Sequence, residues 1–95
     1  MIVVIARMKV AEGKAEAFKQ TMGELAGQVR QNEPGCKMYQ LCAGKDPHEF
    51  TVVERYVDKD ALGTHSQSPH MKEAMSKLGT LLAGRPELQI LREVE

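Results

Sequence analysis

The chain has no tryptophan and only four aromatic residues, Phe18, Tyr39, Phe50 and Tyr56, so six methionines carry much of the apolar volume instead. Neither charge is in surplus: 13 Lys and Arg stand against 13 Asp and Glu. A nucleic-acid-binding domain usually leaves a basic excess, so the balance argues against that class. No apolar run approaches the roughly 20 residues that span a bilayer, and the N-terminus lacks the charge-then-apolar order of a secretory leader. The expectation is a soluble, cytoplasmic protein with no nucleic acid and no membrane among its partners. At 95 residues there is room for one domain, residues 1–95, and one core.

Cysteine is equally scarce. Cys36 and Cys42 are six positions apart with no second pair. In one extended strand an even separation puts both on one face, about 20 Å apart, beyond disulfide reach. Three histidines and no close Cys/His cluster argue against a structural zinc site. Both thiols are expected as small core or half-buried residues.

What is present falls into seven segments. Residues 1–10 (MIVVIARMKV) are β-branched, apolar and continuous, a strand covered on both faces. Ala15, Phe18, Met22, Leu25 and Val29 then recur every third or fourth residue, one stripe of a helix from about Gly13 to Gln31. Gly23 and Gly27, a turn apart in it, are expected to permit close packing on a sheet. Asn32-Glu33-Pro34-Gly35 stops the helix. Residues 36–43 and 49–57 read as strands of an antiparallel hairpin around the Gly44-Lys45-Asp46-Pro47 turn. Asp58 caps a short helix through Ala61, Leu62 and His65, and Ser68-Pro69 restarts another. Met71, Ala74, Met75, Leu78 and Leu82 form the stripe of that second helix, Gly84-Arg85-Pro86 ends it, and residues 87–95 close as a fourth strand.

The order β-α-β-β-α-β is that of an α+β, ferredoxin-like fold: an antiparallel sheet with its helices on one face. That layout leaves a surplus. The first strand is apolar on both sides, with Ile2, Val4 and Ala6 against Val3 and Ile5. The uncovered face calls for a partner, and a homodimer packed sheet on sheet is predicted. The alternative is a monomer whose second face is rimmed by Arg7, Arg55 and Arg92.

The middle of the chain carries a pattern: Glu33-Pro34-Gly35-Cys36, Tyr39 and Leu41, Asp46-Pro47, Phe50 and Glu54, Asp58, Ala61-Leu62 and His65, then Ser68-Pro69-His70-Met71-Lys72. It resembles the antibiotic biosynthesis monooxygenase domain family, small dimeric α/β barrels that include quinol monooxygenases. The resemblance implies a cofactor-independent monooxygenase, with neither metal nor flavin, whose partners are a small phenolic or quinol substrate and O2. The substrate is itself the reductant: once deprotonated in a dry pocket it can pass an electron to O2. The protein then supplies the cavity, a group for the phenolic proton and donors for the anion. Relatives that form polyketide quinones or degrade haem use an Asn and a Trp. Here Trp is absent and Asn32 is the only Asn, which points away from both. The stretch Glu54-Arg55-Tyr56 is also similar to that of a relative that isomerises the phosphorylated autoinducer-2 signal, so an isomerase of a small phosphorylated compound, or a non-catalytic binding dimer, stays open.

His65 is the candidate catalytic residue, because histidine titrates near neutrality. It follows Ala61-Leu62 and matches the family's recurrent histidine; the alternative is a core histidine bonded to a backbone carbonyl. His70 lies in the first turn of its helix, where the positive end favours the neutral base, or it is simply exposed. His48 reads as solvated. Glu54 and Tyr56 share a strand face with Phe50 and Val52; Glu54 can orient a histidine, take a proton or pair with an arginine. Tyr56 and Tyr39 are pocket walls, phenolic donors or core. Arg7 can bind an anionic substrate group or pair with Glu54 or Glu93. Met71 belongs to a set that packs core and can also line an adaptable pocket. The pocket is expected between the sheet and the helices around His65.

Overall fold

Ile2, Val4, Ala6 and Met8 are buried, Val3 and Ile5 half-buried, Arg7 and Lys9 exposed. One face of the first strand is therefore roofed by helices and the other is not. This alternation organises the computed structural model, which describes residues 1–94. The elements are β1 (Ile2–Lys9), α1 (Ala15–Asn32), β2 (Cys36–Ala43), β3 (Glu49–Tyr56), α2 (Lys59–Gln67), α3 (Pro69–Leu78) and β4 (Glu87–Arg92). The sheet runs β2-β3-β1-β4 with every pairing antiparallel. This is the expected ferredoxin-like α+β fold, its second helical segment split in two at Ser68. No helix among the described residues is long and apolar enough to cross a membrane.

The helices form where the stripes and caps predict. Phe18, Met22, Leu25, Ala26 and Val29 bury one side of α1 against the sheet, and Phe18 stacks on Phe50 with ring centroids 4.9 Å apart. Asp58 accepts from the Ala61 N–H at 2.8 Å and starts α2. Ser68 does two things at the α2–α3 joint. Its hydroxyl donates to the His65 carbonyl at 2.8 Å and accepts from the Met71 N–H at 3.2 Å. The turn that carries His65 is thereby tied to the first turn of α3.

Four local expectations are corrected. Gly23 and Gly27 are exposed, with open space where a Cβ would be, so they allow no close packing on the sheet. Gly35 is the glycine that does: a Cβ there would stand 2.7 Å from the Ala61 Cβ. The cysteines do not share a face. A bulge between Cys36 and Met38 sets Cys36 opposite Tyr56 and Met38 opposite Arg55, and one extra residue exchanges the faces of the rest of β2. Cys36 stays half-buried, as expected, whereas Cys42 is exposed. Helix α3 ends at Leu78, before Gly84, because the chain turns at Gly79 and Leu82 bridges to Val10 in a sheet-like contact that closes the core. β4 stops at Arg92; Glu95, the last residue of the expected strand, lies outside the described residues.

β4 is exposed on both sides. Leu88 and Ile90 pair with Ala6 and Val4 on the helix side of the sheet, yet are 64% and 61% exposed because no helix reaches that edge. Arg92 pairs with Ile2 and so belongs to this side, not to the rim of the open face. On the open face Arg55, opposite Val3, pairs with Glu93.

Candidate functional site

Glu33, the residue after α1, stands in the sequence as part of a helix stop and at the head of the family pattern, with no site role expected of it. Its backbone N–H closes α1 onto the Val29 carbonyl, which sends its side chain inward at the α2–α3 joint. There the carboxylate is 4% exposed and lies between two histidines. Oε1 and Oε2 are 3.1 and 3.0 Å from His65 Nδ1, and Oε2 is 2.5 Å from His70 Nε2. An ionised carboxylate only accepts hydrogen bonds, so the nitrogens facing it carry the protons. With the proton on Nδ1, the nitrogen that faces Glu33, Nε2 is the nitrogen left for chemistry.

That Nε2 faces a second carboxylate, Glu54 Oε1, at 3.9 Å. Glu54 projects from β3 and is buried at 5% exposure. Tyr56 donates its hydroxyl to Glu54 Oε1 at 2.6 Å. Burial pushes the Glu54 carboxyl above the ordinary value; the Tyr56 hydrogen bond and the neighbouring His65 oppose the rise, and the Glu33 charge adds to it. Burial also raises Tyr39 and Tyr56, with the Glu54 charge second in each case, so both phenols are held as donors. The two rings flank the imidazole, with centroids 5.3 and 5.4 Å from it. Cys36 beside them is raised by burial as well, which disfavours the reactive thiolate.

The histidine wall encloses a cavity of about 260 Å³ between the sheet and the helices. Val4, Ala6 and Val52 form its floor, Leu62 and His65 one wall, and Met71 and Met75 its roof. Leu88 and Ile90 stand at the uncovered β4 edge. Tyr39 and Glu54 join His65 and Ser66 as its polar lining, and no Lys or Arg reaches it. Tyr56 lies behind Glu54, outside the lining.

The structure therefore gathers His65, Tyr39, Glu54, Tyr56, His70 and Met71, and adds Glu33. It does not gather Arg7. That side chain is on the open face, with its guanidinium 3.4 Å from Gln89, and pairs with neither Glu54 nor Glu93. Glu93 is taken by Arg55. His48 is part of the β2–β3 turn beside Asp46, whose carboxyl is held low chiefly by the His48 backbone N–H. Among the described residues, one set of His, Cys, Asp or Glu donors is close enough to share a cation: Glu33, His65 and His70, within 4.8 Å of one another. Its carboxylate oxygens already meet ring nitrogens at hydrogen-bonding distance, so the set is satisfied without an ion.

The sequence model described as antibiotic biosynthesis monooxygenase matches residues 1–77. The chain is 28% identical over 94 residues to a Mycobacterium tuberculosis protein named "Putative monooxygenase", covering 99% of this chain and 92% of that one. Its fold matches a solved structure from Caulobacter crescentus titled "putative antibiotic biosynthesis monooxygenase" with a TM-score of 0.95 and 38% identity, over 99% of this chain and 90% of the other. A conserved protein from Methanosarcina mazei matches with a TM-score of 0.92 and 28% identity, over 98% and 92% of the two chains.

Proposed function

Since the chain belongs to the antibiotic biosynthesis monooxygenase family, we propose that it oxygenates a small phenol or hydroquinone with O2, using His65 Nε2 to take the phenolic proton. The observation that carries this reading is a buried histidine oriented by a carboxylate on one nitrogen and open to an apolar cavity on the other. Glu33 holds the Nδ1–H form and so keeps Nε2 free to accept the proton.

Proton removal is the step that makes the chemistry feasible. A phenolate is far more electron-rich than its phenol and can pass a single electron to O2 where the phenol cannot. The oxygen then adds to the ring, one atom stays, and the other leaves as water with the protons released. A hydroquinone and O2 give a hydroxyquinone and water, with every electron drawn from the substrate. Glu54, pushed toward its acid form, donates to the developing oxyanion through Oε2 while Oε1 accepts from Tyr56.

Size supports a small substrate. A void of about 150 Å³ holds benzene, and this one is about 260 Å³, enough for one substituted ring. A phosphorylated ligand fits less well, because the cavity lining offers no cation. We also assign a homodimer: Val3, Ile5 and Val53 on the open face and Leu88 and Ile90 at the cavity edge need a second chain over them.

Oxygen uptake by the purified protein with a series of small hydroquinones, with the hydroxyquinone product identified by mass, tests the reading. Stoichiometric uptake supports it. Ligand-induced stabilisation without uptake makes the protein a binding module, and turnover of a sugar phosphate without uptake makes it an isomerase.

A further inference from the structure

We propose that His70, Glu33 and His65 form a proton relay joining the substrate cavity to a separate open groove between α1 and the α2–α3 joint. This extends the reading of His65 as the proton acceptor and depends on it.

The geometry supplies two ends and a bridge. The cavity is lined by His65 but by neither Glu33 nor His70. The groove, about 1170 Å³ and flanked by Glu24, Glu73 and Lys77, is lined by Glu33 and His70 but not by His65. The carboxylate touches both rings, at 3.0 Å on the cavity side and 2.5 Å on the groove side. Exposure grades along the chain: the side chains of His65 and Glu33 are each 4% exposed and that of His70 is 13%. Because the carboxylate bonds to both rings, a continuous hydrogen-bonded path runs from the cavity to the groove.

Protons balance along this path. The relay starts from a neutral trio, with a proton on His65 Nδ1, none on Glu33 and one on each nitrogen of His70. A substrate O–H gives its proton to His65 Nε2. The Nδ1 proton moves to Glu33 Oε1, and His70 releases its Nδ1 proton to water in the groove while keeping Nε2–H on Glu33 Oε2. Afterwards all three groups are neutral. Glu33 now donates through Oε1 to His65 Nδ1 and accepts at Oε2, so every hydrogen bond of the trio persists. One proton has entered and one has left, so the trio stays neutral and the only charge left in the interior is that of the phenolate, the electron-rich form that reacts with O2. The reverse shift returns a proton when water forms. Glu54, Tyr56, Tyr39 and Cys36 also face this region, but none of them lines the groove.

The test needs neither substrate nor oxygen, so it fails or succeeds apart from the proposed activity. In protein labelled with ¹⁵N-histidine, exchange of the His65 Nδ1–H with water is measured by saturation transfer. His70→Gln is expected to slow it roughly tenfold or more while the resonance stays in place, and added imidazole to restore it. Glu33→Gln, whose amide accepts but cannot carry a proton, is expected to slow His65 and leave His70 exchanging fast. Unchanged His65 exchange in both variants overturns the relay. So does stoichiometric binding of added Zn²⁺ that shifts both rings together, which makes the trio a cation site instead.

Discussion

His65 sits at 3% exposure with Nδ1 bonded to Glu33 and Nε2 3.9 Å from Glu54, beyond hydrogen-bonding distance. Replacing it by Gln removes the base but keeps polar atoms for Glu33. Turnover of a hydroquinone is expected to fall by about 10²–10⁴-fold with the melting temperature shifted by only a few degrees, checked by oxygen uptake and calorimetry. Glu33→Ala is different in kind, because it leaves the ring nitrogens of buried His65 and half-buried His70 without their carboxylate partner. A loss of roughly 1–3 kcal/mol of stability is expected by chemical denaturation. For Glu54 the sign of the pH dependence follows from burial. Its carboxyl is raised above the ordinary 4.5 in the folded state, so the folded state binds more protons than the unfolded one just above that value. The contribution of Glu54 is therefore full below pH 4.5 and is lost as pH rises through the folded value. Glu54→Gln should gain stability relative to the native protein as pH is raised across this window; a difference that stays constant with pH contradicts it. Of these groups, the sequence shows His65 and Glu54 by residue type and face. It shows Glu33 as the first residue of a recurrent pattern but not its place between the two histidines, since a glutamate before Pro-Gly looks like a solvated helix stop until α2 and α3 pack over it.

At the scale of elements, strands and helices were legible because their periods are intact: alternate burial in β1 and β3, and a three-four stripe in α1. What the pattern concealed are places where one residue changes the register or tertiary contact overrides propensity. The bulge at Cys36–Met38 exchanges the faces of β2, and the Val10–Leu82 bridge takes residues that continue the α3 stripe. Glycines sort the same way. Gly23→Ala and Gly27→Ala enter open space on α1, and each is expected to add about 0.5–1 kcal/mol in urea denaturation. Gly35→Ala meets Ala61 at 2.7 Å. It is expected to destabilise the protein and, by displacing α2, to lower turnover along with stability.

At the scale of the molecule, the single chain leaves its chemistry partly unroofed. The cavity is closed below by the sheet and above by α3, but Leu88 and Ile90 stand exposed at its β4 edge. A second chain over the open face and this edge both buries apolar surface and dries the cavity, which a phenolate needs in order to react with O2 rather than be reprotonated. Ile5→Glu is therefore expected to give monomers by sedimentation and to reduce oxygen uptake in parallel. The two-sided apolar character of β1 is the sequence feature behind the proposed homodimer. The separation of Arg7 from the site does not show there, because strand alternation assigns a residue to a face without saying which face the helices take.

Removal of a phenolic proton inside the cavity by His65 is the claim on which the mechanism turns, and it can be watched without turnover. A nitrophenol, whose anion absorbs at longer wavelength than its acid, is bound under anaerobic conditions at a pH below its own pKa. The bound dye is predicted to show the anion band in the native protein and to lose it in His65→Gln. A dye that binds and remains in its acid form in the native protein contradicts the account.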